Sequence, residues 1–192
     1  MKSNIGILGW GSLLWDANEQ FDRWHEPWQF DGPVLKLEFS RISQTRAGAL
    51  TLVIDLEHGC PVTSAWCLSK RSEPDDAISD LRCREGTTLN NIGRLDIRSD
   101  GGFWRSQEVK ANVSNWAREK RLDVVVWTDL ASNFAEKTNR SFSIEAAVSY
   151  LGNLSREGKA KAAEYVLRAP DFVKTPLRTM LEQEKWFPVK SS

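Results

Sequence analysis

Histidine and cysteine are scarce in this sequence, and their scarcity limits the chemistry open to the chain. There are three cysteines, Cys60, Cys67 and Cys83, and two histidines, His25 and His58. An odd number of cysteines without a C-x-x-C pair lacks the spacing of a zinc site or a disulfide framework. Neither histidine has a recognisable orienting partner in the sequence, which disfavours a catalytic Cys–His pair. We expect free thiols that behave as small apolar side chains.

Neither sign of charge is in excess, and no apolar run is long. The 26 lysine and arginine residues equal the 26 aspartate and glutamate residues, so the concentrated basic face that nucleic acid or a membrane surface requires is not indicated. The apolar stretch before Trp15 lacks a small-residue cleavage site, which argues against a signal peptide. No segment approaches the roughly 18 to 20 apolar residues of a membrane span. We expect a cytoplasmic protein whose partner is neither nucleic acid nor a membrane.

Tryptophan, by contrast, is abundant, with nine residues in the chain. Trp10, Trp15, Trp24 and Trp28 fall within the N-terminal segment that precedes the second predicted strand. The simpler interpretation is that they are large core residues whose indole N–H groups find partners. A subset that lines a cavity for a small polar ligand is the functional alternative.

Apolar periodicity predicts mainly strands in the first part of the chain and helices in the last third. Strands are predicted at 4–8, 34–42, 50–54, 62–68, 103–113 and 122–127. Helices are predicted from the cap at Ser72 to about Glu85 and, toward the C-terminus, after Ser143, Ser155 and Thr175. No repeat, low-complexity segment or linker interrupts the sequence. These patterns indicate an α+β fold in a single domain, residues 1–192.

The stretch Gly9-Trp10-Gly11-Ser12-Leu13 directly follows the first predicted strand. A dinucleotide-binding fingerprint would need glycine or alanine at position 14, which is leucine, and a crossover helix that the following segment does not predict. No lysine follows the glycines, which excludes a Walker phosphate loop, and the two leucines after Ser12 exclude a G-x-S-x-G elbow. Two interpretations remain: amides at 11–13 that converge on an anionic or carbonyl oxygen, or a turn that only closes the fold.

Further motifs occur in an order that resembles the γ-glutamylcyclotransferase-like family, with its ChaC-type and AIG-type branches. Trp10-Gly11-Ser12-Leu13 is similar to the Tyr-Gly-Ser-x signature of that family, and Gln44-Thr45-Arg46-Ala47-Gly48 is similar to its His-Arg-Gly stretch. The segment from Leu81 to Glu85 resembles its Leu-Asp-x-x-Glu segment, and the run from Tyr150-Leu151 to Glu164-Tyr165 resembles its C-terminal motif. Each match is short, and their order carries the resemblance.

The resemblance implies a small mixed β-barrel flanked by helices, and a reaction that needs neither a metal nor an organic cofactor. In the reaction of that family, the α-amino group of a γ-glutamyl compound attacks its own γ-carbonyl, expels the attached amine or peptide, and leaves 5-oxoproline. A small-molecule γ-glutamyl substrate is therefore the implied partner. Trp10 and Arg82 stand where tyrosine and an acidic residue are usual, which leaves the identity of the substrate open.

The resemblance points to Glu85 as the catalytic residue, a general base for the α-ammonium group and then a general acid for the departing amine. Its predicted place at a helix C-terminus, together with partial burial, would raise the pKa of Glu85 toward the working pH. The amides of Gly11, Ser12 and Leu13 would hold the glutamyl carboxylate or the developing oxyanion. An exposed Glu85 paired with Arg84 is the structural alternative.

Four further residues complete the predicted substrate-binding set. Gly9 and Trp10 belong to the signature, Arg46 offers a guanidinium for a carboxylate, and Tyr165 would close over the substrate. A surface role for Arg46 and packing roles for Trp10 and Tyr165 are the alternatives.

Two other functions remain open for the chain as a whole. One is a non-catalytic small-metabolite-binding protein of the same fold. The other is an interaction domain that docks a partner through the segment from Trp24 to Trp28. The sequence leaves the oligomeric state open.

Overall fold

The computed structural model describes residues 3–188. Its chain divides into two compact units, of which the first comprises the residues up to 35 together with 63–130. The second comprises residues 36–62 together with those from 131 onward. The expectation of a single domain stays a prediction.

The described residues form a mixed α+β structure with eight strands and seven α-helices. The strands are β1 (Ile5–Gly9), β2 (Val34–Ile42), β3 (Leu50–Ile54), β4 (Cys60–Thr63), β5 (Ala65–Leu68), β6 (Ile92–Asp96), β7 (Gly102–Phe103) and β8 (Val124–Thr128). The helices are α1 (Glu19–Asp22), α2 (Pro74–Arg84), α3 (Gln107–Glu119), α4 (Phe134–Thr138), α5 (Ile144–Gly152), α6 (Arg156–Arg168) and α7 (Pro176–Leu181). Short 3-10 turns cover Gly11–Leu14, Gln44–Arg46 and Leu89–Asn91. None of the helices within residues 3–188 has the length and apolar character needed to cross a membrane.

The first unit is built on a five-stranded sheet with the order β5-β1-β8-β6-β7. Strand β1 runs parallel to β8 and antiparallel to β5, while β6 runs antiparallel to β8. The carboxyl ends of β1 and β8 therefore lie at the same edge of the sheet. The start of β6 lies there too, because Ile92 pairs with Thr128. We call this edge, where Gly9, Thr128 and Ile92 end or begin their strands, the upper edge.

One face of this sheet is covered by α2. Alternate residues of the central strands, among them Ile7 and Val126, join a buried cluster with Ala77, Ile78 and Leu81 of the helix. The period of two in the strands and the spacing of three to four in the helix put these side chains on facing surfaces. Leu13, just after β1, belongs to the same cluster. This packing fixes the side of the sheet on which the end of α2 lies.

The second unit contains a three-stranded sheet with the order β3-β2-β4 and the helices α4 to α7. The ring of Phe39 on β2 meets that of Tyr165 on α6 edge to face, with centroids 6.2 Å apart. Glu38, also on β2, is fully buried and accepts a hydrogen bond from the amide of Phe39 at 2.8 Å. An ionisable side chain thus lies inside the packing of this sheet.

The strands of residues 3–188 form these two sheets and no closed barrel, which differs from the architecture that the resemblance implies. The expected strand at 62–68 is also two strands, β4 and β5, which belong to different sheets. Ser64 lies between them, and its amide and hydroxyl both donate to the carbonyl of Pro33. Ser64 therefore continues neither the strand pairing of β4 nor that of β5.

The predicted strand at 103–113 is wrong, because most of that segment belongs to α3. The hydroxyl of Ser106 accepts hydrogen bonds from the amides of Glu108 and Val109, which caps the helix. Val109, Val113 and Trp116 are buried at spacings of four and three, the period of a helix face. The helical predictions after Ser143, Ser155 and Thr175 are confirmed, with each hydroxyl acting as an N-cap.

Candidate active site

The glycine-rich stretch after β1 forms a tight 3-10 turn at the upper edge. Trp10 is extended and only 7% exposed, and Gly11 has a φ of +65°, a left-handed conformation that favours glycine. In a 3-10 turn each amide donates to the carbonyl three residues earlier, so the amides of Gly11 and Ser12 have no acceptor within the turn, whereas the Leu13 amide has the Trp10 carbonyl. The side chain of Trp10 does not cap them. The amides of Gly11 and Ser12 are therefore available to an oxygen atom of a ligand.

Gly9, the last residue of β1, is required for packing. A Cβ atom at Gly9 would lie 2.6 Å from the ring of Trp28, which packs on the buried cluster beneath α2. The glycine thus allows an indole to cover the strand end. This is a structural role, and the sequence predicted a substrate-binding one.

Glu85 forms the C-terminal cap of α2. Its amide donates to the carbonyl of Leu81 at 3.0 Å, and the helix stops because Gly86 adopts a left-handed φ of +56°. Since Glu85 follows Leu81 by four residues, it lies on the helix face that packs on the sheet. The Oε1 atom of Glu85 is shielded from solvent, although the residue as a whole is half-buried.

Arg84 joins the end of α2 to the turn. Its guanidinium donates to the carbonyl of Ser12 at 3.2 Å and to that of Asp16 at 2.7 Å. The Ser12 carbonyl also accepts hydrogen bonds from the amides of Trp15 and Asp16. This one carbonyl therefore connects the turn both to α2 and to the residues that follow the turn. The side chain of Arg84 is 10% exposed. The residue next to Glu85 therefore fastens this helix end to the turn that carries the predicted amide cradle.

A hydroxyl lies on the same face of the sheet. Thr128 follows Val126 by two residues, so its side chain points to the α2 side, toward the upper edge. Thr128 is 9% exposed, and its Oγ1 atom is buried with no hydrogen-bond partner among residues 3–188. Continuing the pairing of Ile7 with Val126 puts Thr128 beside Gly9. A buried hydroxyl without a partner at this edge is a natural contact for a ligand.

The opposite face of the same edge carries an ionic network. Asp129 is 4% exposed, and its carboxylate accepts the amide of Arg105 at 2.8 Å. The Arg105 side chain donates to the Asp129 carbonyl at 2.6 Å and to Asn91 Oδ1 at 2.7 Å. Burial raises the pKa of Asp129, and the Arg105 amide opposes the rise. The network joins the end of β8 to the residue that precedes β6.

Arg46 and Tyr165 both belong to the second unit. The Arg46 guanidinium carbon lies 5.0 Å from the centroid of the Tyr165 ring, a cation–π contact. Tyr165 is 4% exposed and also packs on Phe39, so the structure gives it a packing role. The predicted site residues thus fall into two groups, one around the turn and the end of α2 and one formed by this pair.

A cavity of about 230 Å³ adjoins the turn. Its walls include Leu13, Trp15 and Trp28, together with the polar residues Asp16, Asp22 and His25. This agrees with the cavity-lining alternative for Trp15 and Trp28. Trp24 is half-buried, and the guanidinium of Arg71 lies 3.6 Å from its ring centroid.

Sequence reasoning missed Thr128, the bridging role of Arg84, and the Asp129 network. The polar pair Thr128-Asp129 at the end of an apolar strand was a usable signal, because ligands often bind at strand carboxyl ends. No signal in the sequence links Arg84 to the Ser12 carbonyl. The three cysteines are free, with Cys67 buried, Cys60 half-buried and Cys83 exposed.

Among the described residues, no group of three or more histidine, cysteine, aspartate or glutamate side chains is arranged to hold a metal ion. Comparison of the chain with protein-family models, with curated proteins and with solved structures gave no match. The assignment of a function therefore depends on the geometry of the upper edge and on the motifs that it contains.

Proposed function

We propose that the chain is a divergent γ-glutamylcyclotransferase-like enzyme that releases 5-oxoproline from a γ-glutamyl amine, amino acid or peptide. Glu85 takes a proton from the α-ammonium group of the substrate, and the freed amine attacks the γ-carbonyl carbon. The C–N bond to the departing amine then breaks, Glu85 returns the proton to that nitrogen, and the ring nitrogen loses its second proton to water, which leaves the single N–H of the lactam. One carboxyl group therefore serves both steps, and the protons balance.

The amides of Gly11 and Ser12 stabilise the oxygen that becomes negative in the tetrahedral intermediate. Removing one donor of this kind typically costs about 2.7 to 4 kcal/mol in the transition state. Ring closure within one bound molecule already has a high effective molarity, so the protein needs mainly to hold the chain bent. The task left to the side chains is positioning and one proton transfer.

The observation that carries this proposal is the contact of Arg84 with the Ser12 carbonyl at 3.2 Å. It supports the proposal because it brings the end of α2, and hence Glu85, to the turn with the available amides. The Thr128 hydroxyl on the same sheet face supports it further. Arg46 and Tyr165 have no role in the proposed reaction.

The test is release of 5-oxoproline, followed by mass spectrometry, from γ-glutamyl amino acids, glutathione and γ-glutamyl amines. We expect release by the wild-type chain and a loss of about 100- to 10,000-fold in Glu85→Gln, which keeps the shape but cannot accept the proton. Glu119→Gln is the matched control, because Glu119 is an exposed glutamate at the C-terminal end of α3.

Two results would contradict the enzymatic proposal. Equal loss in Glu119→Gln and Glu85→Gln would show a general effect on the fold. Binding of γ-glutamyl compounds without any release would favour the non-catalytic binding protein, and Trp10 in place of tyrosine would then be the first difference to examine.

A further inference from the structure

The cavity beside the turn is lined by hydrogen-bond acceptors and aromatic rings. Asp16 and Asp22 contribute carboxylates, and Trp15 and Trp28 contribute indole rings. Within residues 3–188 its lining includes no lysine or arginine. The guanidinium of Arg84, which is not part of the lining, lies 4.0 Å from Asp16 Oδ2. The lining of the cavity therefore combines carboxylate groups with aromatic rings.

His25 adds a buried acceptor to this cavity. Its Nδ1 atom lies 2.7 Å from the carbonyl oxygen of Glu26, which can only accept, so Nδ1 carries the hydrogen. In the neutral ring Nε2 then presents a lone pair. The residue is 9% exposed, and Nε2 is buried with no hydrogen-bond partner in the described part of the chain. The Oδ1 atom of Asp22 lies 3.5 Å from this nitrogen.

We propose that this cavity binds an organic ammonium group. An ammonium carries donors and no acceptor, so it complements the His25 lone pair and the Asp22 carboxylate together. The indole rings of Trp15 and Trp28 line the same cavity, and indole rings attract cations. The cavity volume of about 230 Å³ suits a small aliphatic amine rather than a large ligand.

The inference goes beyond the proposed reaction and does not need it, because simple amines test it without turnover. The probe is n-butylammonium, compared at constant ionic strength with n-butanol and butyrate, which have a similar length but neutral and negative heads. The readout is the indole N–H NMR signals of Trp15 and Trp28, with Trp186 of the second unit as internal reference. We expect saturable shifts at the first two positions with n-butylammonium alone.

Charge-removing variants identify the site. Asp22→Asn keeps the shape and the acceptor for the Asn18 amide, and we expect it to weaken n-butylammonium binding at least about threefold. Asp75→Asn, an exposed acid in the first turn of α2, is the matched control and should leave the affinity unchanged. If Asp22→Asn does not fold, Asp16→Asn replaces it with the same expected loss.

Three results would overturn the inference. The first is the lack of any saturable shift with n-butylammonium. The second is equal affinity for n-butanol or butyrate, which would show that the cavity does not select a cation. The third is an equal loss of affinity in the cavity variant and in Asp75→Asn, which would show a long-range charge effect rather than contact.

Discussion

A buried hydroxyl that makes no hydrogen bond is unfavourable in a folded protein, and Thr128 carries one at the upper edge. Its neighbours Val124 and Val126 on the same strand face are apolar and pack on α2. A valine at position 128 would continue that pattern. The hydroxyl is therefore better explained by contact with a bound molecule than by folding.

We expect Thr128→Val to leave the free energy of unfolding unchanged or to raise it by up to about 1 kcal/mol, because an unpartnered polar group is removed. If the hydroxyl contacts a charged part of the substrate, kcat/KM for 5-oxoproline release should fall about 10- to 100-fold. Thr128→Ser keeps the hydroxyl and should retain most of the activity. Urea denaturation and steady-state kinetics measure the two effects.

Ser40→Ala is the control for Thr128→Val. The Ser40 hydroxyl is also fully buried without a partner in the region that the structure describes, but it belongs to the second unit. Its removal should leave the kinetics unchanged. A loss of stability in Thr128→Val with unchanged kinetics would show that the threonine hydroxyl is structural.

Between neighbouring strands, the close approach of β6 and β8 depends on Gly93. Gly93 pairs with Trp127, and a Cβ atom at Gly93 would lie 2.1 Å from the indole Cε2. Trp127 is fully buried, so its ring has no free space into which to move. The glycine allows the indole to lie flat over the neighbouring strand.

We expect Gly93→Ala to lower the free energy of unfolding by about 1 to 3 kcal/mol or more, because the methyl group overpacks this strand pair. Urea denaturation measures the change. Gly152→Ala in α5 is the matched control, since the nearest atom to its Cβ would lie 3.9 Å away. The control should be neutral or slightly stabilising. An equally stable Gly93→Ala would mean that the two strands separate easily.

For the molecule as a whole, the buried Glu38 couples folding to pH. Burial raises its pKa above the ordinary value of 4.5, although hydrogen bonds from Thr175 and from the Phe39 amide oppose the rise. Between the lower pKa of the unfolded chain and the higher pKa of the fold, the folded state binds more protons. Stability therefore falls as the pH rises through this window.

We expect Glu38→Gln to reduce the fall in melting temperature as the pH rises above about 4.5, because the neutral amide does not ionise. Burial also raises the pKa of Asp129, so this residue contributes to the pH dependence of the melting temperature in both proteins. The quantity to compare is therefore the difference in melting temperature between Glu38→Gln and wild type at each pH. Glu182→Gln, an exposed glutamate of the second unit, should leave the slope unchanged. Identical pH profiles for wild type and Glu38→Gln would contradict the prediction.

The sequence by itself determined the features that depend on neighbours within a turn or two. The strand at 34–42, the left-handed glycine at position 11 and the hydroxyl caps at Ser143 and Ser155 all follow from local sterics and hydrogen bonding. The end of α2 at Gly86 is of the same kind. The mixed α+β class follows from the order of such patterns.

Tertiary structure alone decided which of these pieces meet. Arg84 and Ser12 are 72 positions apart in sequence, and they meet because α2 folds back over the face of β1. Thr128 reaches the upper edge because β8 inserts beside β1 as a parallel neighbour. The predicted strand at 103–113 is wrong because the buried positions of this segment have helical spacing and Ser106 caps a helix, and these two effects outweigh its β propensity. These outcomes depend on which apolar faces bury each other, and a local pattern does not contain that information.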